Sequence, residues 1–270
     1  MGNGIAHVFA LAGYDVGLVD IAETLLQHAL QQVEKNMARQ VKKEIISKDE
    51  AVLALARIHA GTDLKAAAES SLVIEAASED VNLKKQLFRE LSDIVTENTI
   101  LASNTSSISI SEIAAATNCP DRVIGMHFFN PVPVMKLVEI IRGIQTSDAT
   151  FEAVMQLGNN LGKTPVAVND FPGFVSNRVL MPMINEAIYC IMEGVATSEA
   201  VDNVMKLGMA HPMGPLALAD LIGLDVCLHI LEVLHRDLGD DKYRPCPLLR
   251  KMVAAGQLGK KSGHGFYIYN

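Results

Sequence analysis

The sequence predicts an α/β domain followed by an all-helical one, and three observations carry that expectation. Up to residue 168, short runs of Val, Ile and Leu alternate with stretches of helical period, as strand–helix–strand units do. At Asp170–Arg178, D-F-P-G-F-V-S-N-R, Pro172 and Gly173 interrupt regular structure. Beyond them only helical periodicity remains. The expected domains are therefore 1–171 and 172–270.

Taken in order, Gly2–Ala12 carries Ile5, Val8 and Phe9 at helical spacing, and Gly13 stands where a left-handed helix stop belongs. Val16–Val19 reads as a strand ending in Asp20. This looks like the latter part of a dinucleotide-binding βαβ unit. In the complete unit G-x-G-x-x-G joins a first strand to a helix whose N-terminus holds a pyrophosphate. An acid about 20 residues on then accepts the ribose hydroxyl. Asp20 fits that acid and favours NAD, because a 2′-phosphate would be repelled. The chain enters at M-G-N-G, so only Gly2 matches the fingerprint, as its last glycine. The expectation is an N-terminally truncated Rossmann-like domain that lacks its first strand. The strands beside that gap would have unpaired edges, and NAD affinity would be weak.

From Ile21 to about Ser47 a polar-faced helix shows Leu26, Leu30, Val33, Met37 and Val41 on one side, and a second helix from Asp49 to about Arg57 begins at a candidate cap. Together they read as a hairpin inserted at about 22–57. Ser71–Ala76 is a buried-looking strand and Val81–Val95 an amphipathic helix. The loop between them, A-A-S-E-D, sits where open α/β sheets bind ligands. Thr99–Ala102 is the next strand and runs into S-N-T-S-S at 103–107. That cluster is either a turn with a helix cap or a ligand loop; no G-x-S-x-G elbow makes a serine a nucleophile. A helix over 147–161 and a strand over 164–168 complete the first domain. The second reads as helices over about 174–193, 198–207, 215–238 and 247–255. Their apolar content exceeds what four short helices bury, so dimerisation through this half is expected, with packing onto the first domain as the alternative.

The chain's 270 residues are 49% hydrophobic and 20% charged, enough for one large core or two modest ones. A net charge of −8 argues against a nucleic-acid partner, though a local cluster of cations can still hold an anionic ligand. Cys119, Cys190, Cys227 and Cys246 show no metal-type spacing, so no metal site is expected and the thiols read as reduced. No apolar run approaches the ~20 residues of a membrane span. The N-terminus lacks a signal-peptide pattern, so a cytoplasmic location is expected.

The chemistry concentrates in V-I-G-M-H-F-F-N-P-V-P-V-M-K-L-V-E-I-I, residues 123–141. A short apolar strand ends at His127, and Pro131 and Pro133 break the regular structure beyond it. Glu139 then lies in the middle of a second apolar run. A carboxylate buried there needs a partner, since leaving it unpaired costs several kcal/mol. His127 is the candidate, because a carboxylate on one ring nitrogen fixes the tautomer and leaves the other for proton transfer. A satisfied core histidine and a Glu139 that meets a surface lysine remain the alternative from spacing alone.

The run resembles the H-F-F-N-P-x-P-V-M-K-L-V-E signature of the L-3-hydroxyacyl-CoA dehydrogenases. The similarity extends from Met1 to Tyr269 and is nearest to the bacterial branch acting on 3-hydroxybutyryl-CoA. The resemblance implies reversible NAD-dependent oxidation of an L-3-hydroxyacyl-CoA thioester to the 3-ketoacyl-CoA. It makes His127 and Glu139 the catalytic pair and sets Ser106 and Asn177 on the substrate oxygen. It brings Gly2, Asp20, Glu79, Lys84, Asn104, Asn130 and Lys261 to the cofactor. The hairpin reaches toward CoA, with Lys43 for its phosphates. Lys43 reads about equally well as a solvated charge, and the alternative for Lys84 is a surface helix charge. Two rivals stand against this reading: an inactive or cofactor-impaired relative that binds CoA esters or serves a structural role, and a dehydrogenase of free hydroxy acids. The second family commonly uses a lysine where this chain has His127 and Glu139.

Overall fold

In the computed structural model, which describes residues 1–269, the chain divides after Asp170. The first unit begins with α1 (Gly2–Leu11), β1 (Val16–Val19), α2 (Glu23–Lys42), α3 (Lys48–Ala56) and β2 (Ile58–Gly61). It continues through β3 (Leu72–Glu75), α4 (Val81–Ile94), β4 (Ile100–Ser103), α5 (Ile110–Ala114) and β5 (Val123–Phe128). It closes with β6 (Leu137–Arg142), α6 (Asp148–Asn160) and β7 (Thr164–Asn169). Five strands form one sheet in the order β3-β4-β5-β6-β7, parallel except between β5 and β6, while β1 and β2 make a separate parallel pair. Among the described residues, neither β1 nor β3 has a second ladder neighbour.

The core explains which residues form these elements. Ile5, Val8 and Phe9 of α1 pack with Ile124, Met126 and Phe128 of β5, Val138 and Ile140 of β6, and Val154 of α6. Elsewhere on α1, Ala10 packs with Val33 and Met37 of α2 and with Ala51 and Ala54 of α3. The hairpin differs from expectation at its turn. The first helix stops at Lys42 and the second starts after Ser47 instead of Asp49. Ser47 and Glu50 form a reciprocal capping box there, which satisfies two helix-end donors at once. Strand β2 was not expected: I-H-A-G has little strand propensity of its own, and its conformation comes from pairing with β1.

The second unit holds α7 (Ser176–Met192), α8 (Ser198–Asn203), α9 (Pro215–Ile222), α10 (Leu224–Leu238) and α11 (Pro247–Ala254). Met181, Ile184, Ile188, Leu216, Leu224, Leu231 and Leu249 build its core. The single helix expected over 215–238 is two helices, because Gly223 adopts φ 107°, which a side chain tolerates poorly. Two buried aspartates fasten the tail. Asp220 Oδ1 accepts the Phe266 amide, and its Oδ2 accepts the Tyr267 amide and the Tyr269 hydroxyl, each at 3.0 Å. Asp202 accepts the Leu216 and Ala217 amides at the start of α9 and the Tyr267 hydroxyl at 2.8 Å. No helix among the described residues is long and apolar enough to cross a membrane.

Candidate active site

Strand β5 carries His127 one residue from its end, and the antiparallel register with β6 sets Glu139 directly opposite. Facing residues of such a pair point to the same side of the sheet, so the two side chains must meet. His127 Nδ1 lies 2.8 Å from Glu139 Oε2, with His127 8% and Glu139 3% exposed. An ionised carboxylate only accepts, so Nδ1 carries the proton and Nε2 keeps the basic lone pair. The Phe129 ring packs on the imidazole, with centroids 4.7 Å apart and planes tilted by 45°. The segment that returns the chain to β6 passes through exposed Asn130 and a cis bond to Pro131.

The neighbouring strand ends are stitched together. Asn104 donates its amide to the Glu75 carbonyl at 2.8 Å, and its side-chain oxygen accepts the Phe128 amide at 2.9 Å. This ties the ends of β3, β4 and β5 beside His127. Ser106 lies on the loop after β4, at the same edge of the sheet. Its amide donates to Glu79 Oε1 at 2.9 Å, and the same oxygen takes the Thr105 hydroxyl at 2.6 Å and the Ser107 amide at 3.1 Å. Burial opposes ionisation of Glu79. The Thr105, Ser106 and Ser107 donors and the Lys84 ammonium outweigh it and hold the carboxyl below its ordinary value of 4.5.

Lys84 is no surface charge: it is 1% exposed. Its ammonium donates to Glu75 Oε1 at 2.7 Å and to the Ala77 carbonyl at 3.3 Å, and lies 3.5 Å from Glu79 Oε2. The signal was in the helix phase, since Lys84, Phe88, Leu91 and Ser92 are the buried positions of α4, at i, i+4, i+7 and i+8. Glu75, unlike Lys84, was not singled out from sequence. It closes the apolar run L-V-I-E, and the reasoning applied to Glu139 applies equally to it.

A depressed acid contributes stability that is present above its unfolded pKa and lost as pH falls through the folded one. Acidification below pH 4.5 should therefore lower the melting temperature of the native chain more steeply than that of a Glu79→Gln variant. Parallel melting curves through that range would contradict this account of Glu79.

The other sequence candidates are spread more widely. Gly2 opens α1, whose N-terminus has no side-chain cap. Asp20 is exposed just after β1, with Oδ1 accepting the Ile21 amide at 2.7 Å. Uncapped amides suit a pyrophosphate and an exposed acid suits a ribose hydroxyl, so these residues fit a dinucleotide. Lys43 stands exposed at the C-cap of α2, in the turn of the hairpin. In the second unit, Asn177 is buried in the first turn of α7, its amide donating to the Gly173 carbonyl at 3.1 Å. Lys261 is exposed and donates to Asp225 Oδ2 at 2.6 Å. Among the described residues, no group of three or more His, Cys, Asp or Glu is placed to hold a metal ion.

Residues 1–171 match the family described as 3-hydroxyacyl-CoA dehydrogenase, NAD binding domain, and residues 173–269 match the corresponding C-terminal domain. A probable 3-hydroxybutyryl-CoA dehydrogenase of Bacillus subtilis is 59% identical over 269 residues, covering 100% of this chain and 94% of the relative. A 3-hydroxybutyryl-CoA dehydrogenase of Bradyrhizobium diazoefficiens is 54% identical, covering 100% and 92%. The crystal structure of (S)-3-hydroxybutyryl-CoA dehydrogenase from Ralstonia eutropha superposes with a TM-score of 0.97 at 52% identity, covering 100% of this chain and 95% of that one.

Proposed function

The chain belongs to the 3-hydroxyacyl-CoA dehydrogenase family, and on that premise we propose that it oxidises an L-3-hydroxyacyl-CoA reversibly to the 3-ketoacyl-CoA with NAD. The names of its relatives favour 3-hydroxybutyryl-CoA as the substrate. The observation that carries the reading is the buried, register-matched His127–Glu139 pair. The inactive alternative finds no support, because relatives named as dehydrogenases cover the whole chain. Free hydroxy acids as substrates fit less well, since a histidine–carboxylate pair holds the position where such enzymes commonly use lysine.

In this reading His127 Nε2 takes the proton of the 3-hydroxyl. Glu139 stabilises the imidazolium through Nδ1 and keeps the ring's orientation through the change of charge. The Ser106 hydroxyl steadies the oxygen, and the family resemblance assigns Asn177 to the same task. Bound NAD supplies the hydride acceptor. Gly2 and the α1 N-terminus would hold its pyrophosphate and Asp20 its ribose, while Glu79, Lys84, Asn104, Asn130 and Lys261 carry cofactor assignments from the resemblance alone. Lys43 is assigned to the phosphates of CoA. A homodimer formed through the helical unit and a cytoplasmic setting complete the proposal.

The test is NADH consumption with acetoacetyl-CoA, set beside free acetoacetate. Turnover of the thioester alone supports the reading. Equal turnover of the free acid, or none of either, overturns it.

A further inference from the structure

We propose that Glu75, acting through Lys84 and Glu79, is a positioning residue for the Ser106 hydroxyl. The inference rests on the reading of Ser106 as a group that steadies the substrate oxygen. Glu75 ends β3 with its carboxylate buried and both oxygens engaged. Oε1 accepts the Ala77 amide at 2.6 Å and the Lys84 ammonium at 2.7 Å, and Oε2 accepts the Ser103 hydroxyl at 2.7 Å. Ser103 in turn accepts the Thr105 amide at 3.2 Å. Glu75 thus reaches the serine loop by two routes: through Ser103 at its root, and through Lys84 to Glu79 Oε2, whose carboxylate partner Oε1 gathers the loop donors.

Charge balance makes the arrangement more than a staple. One ammonium is shared unequally between two carboxylates, at 2.7 Å from Glu75 and 3.5 Å from Glu79. The Glu75 carboxylate holds Lys84 back, and Glu79 keeps its Oε1 on the Thr105, Ser106 and Ser107 donors. With Gln at position 75, the buried ammonium has a single counter-charge left. The Coulomb attraction between buried charges is weakly screened, so Glu79 is drawn toward Lys84 and away from the loop. A displacement of about 1 Å in a group that orients a reacting atom costs on the order of 10²-fold in rate.

The test compares Glu75→Gln with the double variant Glu75→Gln/Lys84→Met, using acetoacetyl-CoA and NADH. Glu75→Gln should lower kcat at least about tenfold while leaving the thioester KM within about threefold, a split expected of lost positioning. The Ser106 and Ser107 amides should exchange with solvent faster, by about tenfold or more. In the double variant the Ser106 and Ser107 amides should return toward the native exchange rate, because the ammonium that pulls on Glu79 is gone. A merely structural role predicts the reverse, with the double variant worse than the single. Unchanged kcat and exchange in Glu75→Gln, or still faster exchange of these amides in the double variant, overturns the proposal. If Glu75→Gln does not fold, Glu75→Asp, which keeps the charge but draws it back from Lys84 and Ser103, carries the same readouts. Wild-type protein inert toward acetoacetyl-CoA sinks the functional reading instead, and the amide exchange, which needs no activity, still decides the role of Glu75.

Discussion

Replacement of His127 with Gln lowers turnover of acetoacetyl-CoA by about 10²–10⁴-fold, the usual worth of a positioned general acid–base group. Glutamine preserves polarity and approximate shape at the end of β5, so Glu139 still finds a donor and the fold is kept. It cannot accept and return a proton at neutral pH. The loss therefore falls on kcat, while affinity for the thioester, measured by calorimetry with acetoacetyl-CoA, stays close to that of the native chain. Turnover equal to wild type would remove His127 from the chemistry, and His127 would then be only a core residue paired with a buried acid.

The largest stability effect is expected at Asp220, which is 0% exposed. In Asp220→Ala the Phe266 and Tyr267 amides and the Tyr269 hydroxyl lose their acceptor together. An unsatisfied buried donor costs ~1–3 kcal/mol, so a total of about 3 kcal/mol or more is expected, and a fall in melting temperature of the order of 10 °C. Differential scanning calorimetry reads this directly, and a shift under a few degrees would contradict it. A second signature lies in alkali. Burial and then the Asp220 hydrogen bond push the Tyr269 hydroxyl up to about 12. A raised phenol contributes stability that is present below its unfolded pKa of about 10 and lost as pH rises toward 12. That alkaline loss should be smaller in Asp220→Ala.

How much of this was legible in the sequence depended on whether a signal was local. The His127–Glu139 pair could be argued from a buried acid needing a partner, and the signature run made the argument specific. The physical guarantee, the β5–β6 register, lies between strands and is written nowhere in the letters. The two domain types followed from period alone. Breaks that depend on backbone conformation did not: Gly223 reads as one more residue in an apolar helix until its φ of 107° is seen. Strand β2 was hidden for the complementary reason, since a four-residue segment of weak propensity is made a strand by its neighbour. Lys84 and Lys85 show the same limit at one step. The first pairs with Glu75 in the interior and the second with Glu112 at the surface. Helical phase separates them, but single letters do not, and Lys84 stayed open to a surface reading.

The reversal of direction between β5 and β6 makes insertions unequal in this part of the gene. A residue gained or lost in the bend over residues 129–136 lies outside the ladder and leaves imidazole and acid opposed, at the cost of disturbing Val132, which is 2% exposed in the core. A single codon added inside Leu137–Val138 turns every later side chain of that strand to the far face and strands the acid behind the sheet. Length variation among descendants of this chain should therefore be excluded most sharply between the bend and the acid.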